Sequence, residues 1–365
     1  MENRNASIGE LRILLIGNYP PDRQESMKRF SLMLMQGLKD AGVEVELIRP
    51  EAFFGRLKPA ANGLGKWLGY IDKFFVFPFR LRRYAAKFDV AHICDHSNAH
   101  YTRYLLNMPH LVTCHDMLAI RSALGEFPQN PTGWTGRILQ RIILGGLRRA
   151  RRITCVSEAT RLDVLRITGL AENRVDTTLN GLNYPYTPLD SSPGRERYLL
   201  HVGGNQWYKN RMGLLAIYSE LRRLCGEPPP KLIMVGPPLE NLPEGVELRS
   251  GLDNEQLRLL YSQAELLLFP SIEEGFGWPV LEAQACGCRV VTTRKAPMTE
   301  VGGTAAFYLD DPCNIADAAQ VVKSVLDQPV REKEAAIAAG LENARRFSTE
   351  NMVNKYRKLY QEVIQ

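Results

Sequence analysis

Two glutamates, Glu274 and Glu282, bracket a glycine-rich turn in the run Pro270-Ser-Ile-Glu-Glu-Gly275-Phe-Gly277-Trp-Pro279-Val-Leu-Glu-Ala283. Gly275 and Gly277 flank Phe276 and let the backbone come close to a ligand. Pro279 suits the first turn of a helix, whose free N–H groups and positive dipole end favour negative charge. If the turn folds back, both carboxylates can reach one small polyhydroxylated molecule from opposite sides. A tight turn with two solvated glutamates is the competing reading, which Gly-x-Gly alone does not exclude. The doubled glycines, the helix-start proline and the spaced carboxylates together weigh against it. A second group, Gly203-Gly204-Asn205-Gln206-Trp-Tyr-Lys209-Asn-Arg211, also stands between an apolar run and a helical pattern. There a glycine pair can offer N–H groups to phosphates and a lysine a point charge. It is not a P-loop, because Gly-Lys-Ser/Thr is absent.

These groups need strands and helices to hold them. Ala264 to Phe269 has strand length and Val280 to Cys286 reads as a helix body. The same alternation runs from the start. Leu11 to Gly17 is apolar throughout, as a parallel strand buried on both faces should be. It ends in Gly17-Asn18-Tyr19-Pro20-Pro21, read as a loop that is not helical. Met27 to Leu38 repeats apolar residues at helical spacing and stops at Gly42, and Val43 to Ile48 is the next strand. Strand, helix, strand is the unit of doubly wound parallel sheets, which bind ligands at the carboxyl ends of their strands. Residues 66–87 read as an amphipathic helix or helix pair interrupted at Pro78. Further strands are expected at Asp89–Cys94, His110–Cys114 and Ile153–Val156. Residues 184–197 concentrate proline and small polar residues and read as a linker. The alternation then restarts with Tyr198–Val202, so the expected domains are residues 1–187 and 188–346, with 347–365 a closing helix packing back on the first.

Length and composition agree. A chain of 365 residues is too long for one ordinary core. Seven cysteines include no Cys-x-x-Cys pair, so core packing in a reducing compartment is expected rather than metal binding. No run approaches a membrane span and the polar start does not suit a signal peptide, so a cytoplasmic protein is expected. The formal charge of +6 is modest, but Arg56 to Lys87 holds eight basic residues against Asp72, interleaved with Trp67, Tyr70 and four phenylalanines. Arg137, Arg141, Arg148, Arg149, Arg151 and Arg152 form a second basic cluster. Residues 56–87 read either as a solvated face over core aromatics or as a peripheral contact with anionic lipid at the inner membrane face. Nucleic acid is not expected, since no recognised module is present.

The two glycine groups, with His110-Leu-Val-Thr-Cys-His115-Asp116, Cys155-Val-Ser157-Glu158, Asn180-Gly181 and Pro297-Met-Thr-Glu300-Val-Gly, resemble the retaining glycosyltransferases of family 4 over nearly the whole chain. The resemblance implies an α/β protein of GT-B fold, two doubly wound Rossmann-like domains facing a central cleft. It implies a metal-independent, retaining hexosyltransferase that needs no cofactor. Its donor would be a UDP-, GDP- or ADP-sugar and its acceptor a glycan or lipid-linked molecule. By the same resemblance Glu274 binds donor-sugar hydroxyls, with Gly275, Phe276 and Gly277 near the sugar and diphosphate. Glu282 holds the ribose, Lys209 neutralises the diphosphate, and His115 faces the transferred sugar. Gly203, Gly204, Asn205 and Arg211 complete the donor side, and Asn18, Tyr19, Pro20 and Pro21 border donor and acceptor. Two departures stand out. Gly204 occupies a place where many relatives have arginine, which Arg211 or Asn205 would have to replace, and Gln24-Glu25-Ser26 stands where relatives often have Gly-Gly. A non-catalytic nucleotide-sugar-binding subunit and a sugar-nucleotide epimerase of the same fold are the alternatives.

Overall fold

A computed structural model describes residues 11–57, 64–189, 197–226 and 228–365. The expectations for Met1 to Glu10, for Lys58 and for 190–196 of the linker lie outside the described residues, as does the side chain of Lys66. The chain divides into two units, residues 1–183 with 349–365, and residues 184–348.

The first unit runs β1 (Arg12–Ile16), α1 (Glu25–Asp40), β2 (Glu44–Ile48), α2 (Leu64–Ile71), α3 (Phe77–Ala85), β3 (Val90–Ile93), β4 (His110–Cys114), α4 (Leu118–Ala123), α5 (Trp134–Arg149), β5 (Arg152–Cys155), α6 (Glu158–Thr168) and β6 (Val175–Thr177). Its parallel sheet has the order β2-β1-β3-β4-β5-β6. Strands β1, β3, β4 and β5 are almost wholly buried because helices cover both faces, while the edge strand β2 keeps Glu44 and Glu46 exposed. Leu14, Ile16, Ala91, Ile93, Val112 and Ile153 meet Leu81 and Leu147 in one core.

The second unit runs β7 (Tyr198–Val202), α7 (Arg211–Leu224), β8 (Lys231–Val235), β9 (Val246–Arg249), α8 (Asn254–Gln263), β10 (Leu266–Phe269), α9 (Trp278–Ala285), β11 (Arg289–Thr293), α10 (Met298–Gly302), β12 (Phe307–Leu309), α11 (Ile315–Leu326) and α12 (Val330–Ala344). Its parallel sheet has the order β12-β11-β10-β7-β8-β9. Leu199, Leu232 and Leu268 pack under Leu214, Tyr218 and Val322. The closing helix α13 (Thr349–Ile364) belongs to the first unit. There the His92 ring lies between the Tyr360 hydroxyl at Nδ1 (2.8 Å) and the Thr113 hydroxyl at Nε2 (2.7 Å), and Thr113 also meets the Tyr356 hydroxyl at 2.9 Å.

Two local expectations change. Pro20–Asp22 closes a single 3-10 turn, because proline's fixed φ suits a first helical turn. Pro78 does not interrupt residues 64–85. A π turn, Asp72–Val76, joins α2 to α3 and places Pro78 in the first turn of α3, where its missing N–H is tolerated. The strand β9 and the short helix α10 had no reading in the sequence. Five of the seven cysteines are buried, and all are free thiols.

Candidate active site

In each sheet the chain order reverses between two neighbouring strands, and loops leaving such a pair diverge and open a crevice. In the second unit the pair is β7 and β10, joined at Leu199–Leu266 and Leu200–Leu267. Both glycine groups leave from this pair. The two loops are stitched together, since Ile272 donates its N–H to the Tyr208 carbonyl (2.8 Å) and Asn210 Nδ2 donates to the Pro270 carbonyl (3.1 Å). Asn210, at φ 51°, caps α7 in the left-handed region where asparagine is tolerated.

This stitching brings Lys209 and Glu274 together, 65 residues apart in sequence. Lys209 Nζ lies 2.6 Å from Glu274 Oε1, with side-chain exposures of only 14% and 7%. The ammonium also stands 5.0 Å from the centre of the Phe269 ring. A nearly buried pair of this kind holds each charge in place, and removing one partner strands the other at a cost of about 3–5 kcal/mol. Gly277 follows with φ +102°, a conformation that glycine alone enters freely, and turns the chain into α9 with Pro279 in its first turn. Phe276 is buried edge-on against Phe347. Glu282 lies one turn inside α9, 3% exposed, where its Oε2 accepts the Tyr261 hydroxyl at 2.9 Å.

The Gly203–Arg211 loop is tightly built. Gly203 donates its N–H to the Val235 carbonyl (3.0 Å), so this amide is committed to the sheet and not to a ligand. Arg211 is buried, and its guanidinium binds the Asn205 side chain and, at 2.9 Å, the Pro237 carbonyl. Arg211 and Asn205 thus hold each other and fasten the loop after β7 to the loop after β8. Burial lowers the Arg211 pKa. Beneath the loop, the fully buried His201 donates from Nδ1 to the Leu268 carbonyl (3.0 Å), and its Nε2 has no partner. Burial, the backbone contact and the nearby Lys209 and Arg211 leave its pKa at about 4, so the ring is neutral near pH 7.

In the first unit the reversal falls between β1 and β3. Asn18 leaves β1 and reaches the Asp95 carboxylate beyond β3 and the Gln24 side chain before α1. Tyr19 turns inward and donates its hydroxyl to Asp72 (2.9 Å), while Pro20 and Pro21 stay exposed. His115, after β4, is 6% exposed; its Nε2 donates to the Cys94 carbonyl (2.8 Å) and its ring meets Phe30 edge-on at 4.7 Å. Burial, the largest cause, lowers its pKa.

Several residues escaped the sequence reading. His96 Nδ1 lies 3.2 Å from Asp95 Oδ1 in a buried ion pair at this reversal. Burial alone would lower the His96 pKa, but Cys114, Asp95 and Asp116 raise it to about 10. The Cys114 thiol is itself pushed far up by burial and stays protonated, so Asp95 is the effective partner near pH 7. In the second unit Glu273, 6% exposed, pairs with Lys295. The available signal was position, since each follows the carboxyl end of a sheet strand.

A family model described as Glycosyltransferase Family 4 matches residues 27–184, and one described as Glycosyl transferases group 1 matches residues 190–342. An O-antigen chain mannosyltransferase B of Escherichia coli is 29% identical over 248 residues, 61% of this chain and 65% of that protein. The chain spans less than two thirds of the length of the first curated relatives it matches. A sucrose-phosphate synthase from Thermosynechococcus elongatus superposes with a TM-score of 0.75 at 18% identity, over 97% of this chain and 99% of that one. Anabaena HepE in complex with UDP-glucose gives 0.67 at 16%, over 96% and 99%. At such identities the structural likenesses speak for the fold.

Proposed function

We propose, for a chain that belongs to glycosyltransferase family 4 and has the GT-B fold, that it transfers a hexose from a nucleoside diphosphate sugar to a glycan or lipid-linked acceptor in polysaccharide or glycolipid assembly. The observation that carries this reading is the Lys209–Glu274 pair at the reversal between β7 and β10. A diphosphate leaves with negative charge, and a fixed ammonium beside a helix N-terminus stabilises that charge as it develops. On donor binding Lys209 turns to the diphosphate, and Glu274 is released to accept hydrogen bonds from sugar hydroxyls. Arg211 and Asn205 hold the loop that carries Lys209. Glu282 supports the ribose from inside α9.

The reading includes retention at the anomeric carbon. The acceptor oxygen bonds to that carbon on the face from which the phosphate oxygen departs. The acceptor's proton passes to the leaving phosphate, so no enzyme nucleophile is needed. It also includes metal independence; among the described residues no cluster of His, Cys, Asp or Glu is arranged to hold an ion. No described helix is long and apolar enough to cross a membrane. The reading places the enzyme in the cytoplasm with a peripheral contact to anionic lipid through residues 56–87.

The test is a panel of UDP-, GDP- and ADP-sugars, scored by released nucleotide and by thermal shift with glycan and lipid-linked acceptors. UDP-glucose comes first because the Anabaena relative holds it. Turnover of one donor that persists in EDTA, with the product's anomeric configuration retained by NMR, is the expected result. Thermal shift without turnover on any acceptor would instead mark a binding subunit.

A further inference from the structure

The outer face of α2 and α3 carries apolar side chains that no core covers. Trp67, Ile71, Phe75 and Phe79 are 61%, 37%, 66% and 77% exposed. They recur every fourth residue, which in a continuous α-helix would drift by about 40° per step. The π turn Asp72–Val76 adds a wider turn midway, which reduces that drift. Beneath it, the buried Asp72 accepts the N–H groups of Phe54 and Gly55, each at 2.9 Å. That fixes the neighbouring loop, where Phe53 and Leu57 are also exposed. The apolar face is thus built and anchored.

Its charge is one-sided. Residues 64–87 contain Lys66, Lys73, Arg80, Arg82, Arg83 and Lys87, and their one acid, Asp72, is buried. From outside the helices Glu51 pairs with Arg80 at 2.5 Å and Glu46 meets Tyr84, while Arg82 and Arg83 are exposed. Helix α5 repeats the pattern, with Trp134, Ile138 and Ile142 exposed at the same spacing and Arg137 and Arg141 exposed beside them. No acid occurs from 134 to 152. Both elements lean on the segment His96–Tyr104, Phe74 stacking on His100 and Gly146 lying against Ala99.

We propose that this face docks on an anionic lipid bilayer, with the apolar row of α2 and α3 entering the interface and the arginines of α3 and α5 at the headgroups. A second copy of the chain would oppose like charge to like charge. A soluble polyanion would use the arginines and leave the apolar row without a role. The same turn holds the loop after β1, through Tyr19 to Asp72 and the Lys73–Asp22 ion pair at 2.9 Å. Docking would therefore steady the loop that the family resemblance sets at the border of donor and acceptor. This rests on the membrane contact named above and gives it its residues, and the two stand or fall together, whereas vesicle binding is read without donor or acceptor, so it and the proposed sugar transfer can fail separately.

The experiment is co-sedimentation of the full chain with vesicles of mixed phosphatidylglycerol and phosphatidylcholine, and of phosphatidylcholine alone. Binding to the mixed vesicles that weakens with salt is expected. The double variant F75S/F79S should lower the partition coefficient by on the order of tenfold or more. R82S/R83S should lower it at low salt and flatten the salt dependence. All four side chains are exposed, so both variants should melt like the parent. The proposal is overturned if the full chain stays in the supernatant with mixed vesicles, or if F75S/F79S binds them as the parent does. It is equally overturned if light scattering shows a dimer that F75S/F79S dissociates while no vesicle binding occurs.

Discussion

Lys209 stands where two requirements meet, since it neutralises a nearly buried Glu274 and, in the proposed reaction, the departing diphosphate. Lys209→Ala should cut turnover by on the order of a hundredfold or more, as removal of a preorganised electrostatic stabiliser does. It should also lower the melting temperature, because Glu274 is left without its cation. A double-mutant cycle separates the two effects. K209A/E274A should regain part of the lost stability and none of the lost rate. A near-native rate in K209A, or a rate restored in the double variant, would remove the assigned role. His96 offers a different check. With its pKa raised to about 10, largely against the cost of burial, its ring carbon protons should keep the imidazolium chemical shift from pH 6 to 8 by NMR. A midpoint within that range would mean that the Asp95 ion pair does not form in solution.

The closing helix α13 shows how one element can complete a unit from far along the chain. Tyr360 and Tyr356 extend a buried hydroxyl chain to His92 and Thr113 of strands β3 and β4. Tyr360→Phe leaves a ring nitrogen of His92 buried without a partner and should cost about 1–3 kcal/mol in urea unfolding; an unchanged midpoint would show that the hydroxyl contributes nothing. The strands and helices were largely readable, because apolar runs followed by helical periodicity mark parallel sheets without any tertiary knowledge. Strand β9 was not, although Val246-Glu-Leu-Arg249 alternates apolar and charged residues, since four residues are the shortest alternation that marks a strand and all four are only half-buried. The π turn was not, since it is held by Asp72 contacts reaching 53 residues back to Tyr19. In the site, Lys209 and Glu274 were both legible by type and spacing. Their pairing was not, because it depends on β10 lying beside β7, which local pattern does not report. Asp95–His96 looked ordinary for the same reason. Its meaning comes from burial at the sheet reversal.

At the scale of the molecule, histidine sets the response to acid. Of the six histidines, His92, His100, His110, His115 and His201 all have pKa values lowered chiefly by burial, to about 3 for His92 and about 4 for His100 and His201. In the unfolded chain each binds a proton near pH 6.5, while in the fold it does not until more acid conditions. The unfolded state therefore binds more protons below pH 6.5, and stability falls with pH across the window from about 6.5 to 4. His96 works in the opposite sense, its contribution being complete below pH 6.5 and lost as pH rises through about 10. It adds no slope on the acid side. Four of the five lowered histidines lie in the first unit and only His201 in the second, so the acid response is uneven. Each such group contributes up to about 1.4 kcal/mol per pH unit. Hydrogen-exchange mass spectrometry at pH 7 and at pH 5 reads this directly. The amides of β3 and β4 should lose more protection, after correction for intrinsic exchange, than those of β7 and β8. Equal loss in both units, or greater loss in β7 and β8, would show that these rings are already charged in the fold or that carboxylates govern the acid limb.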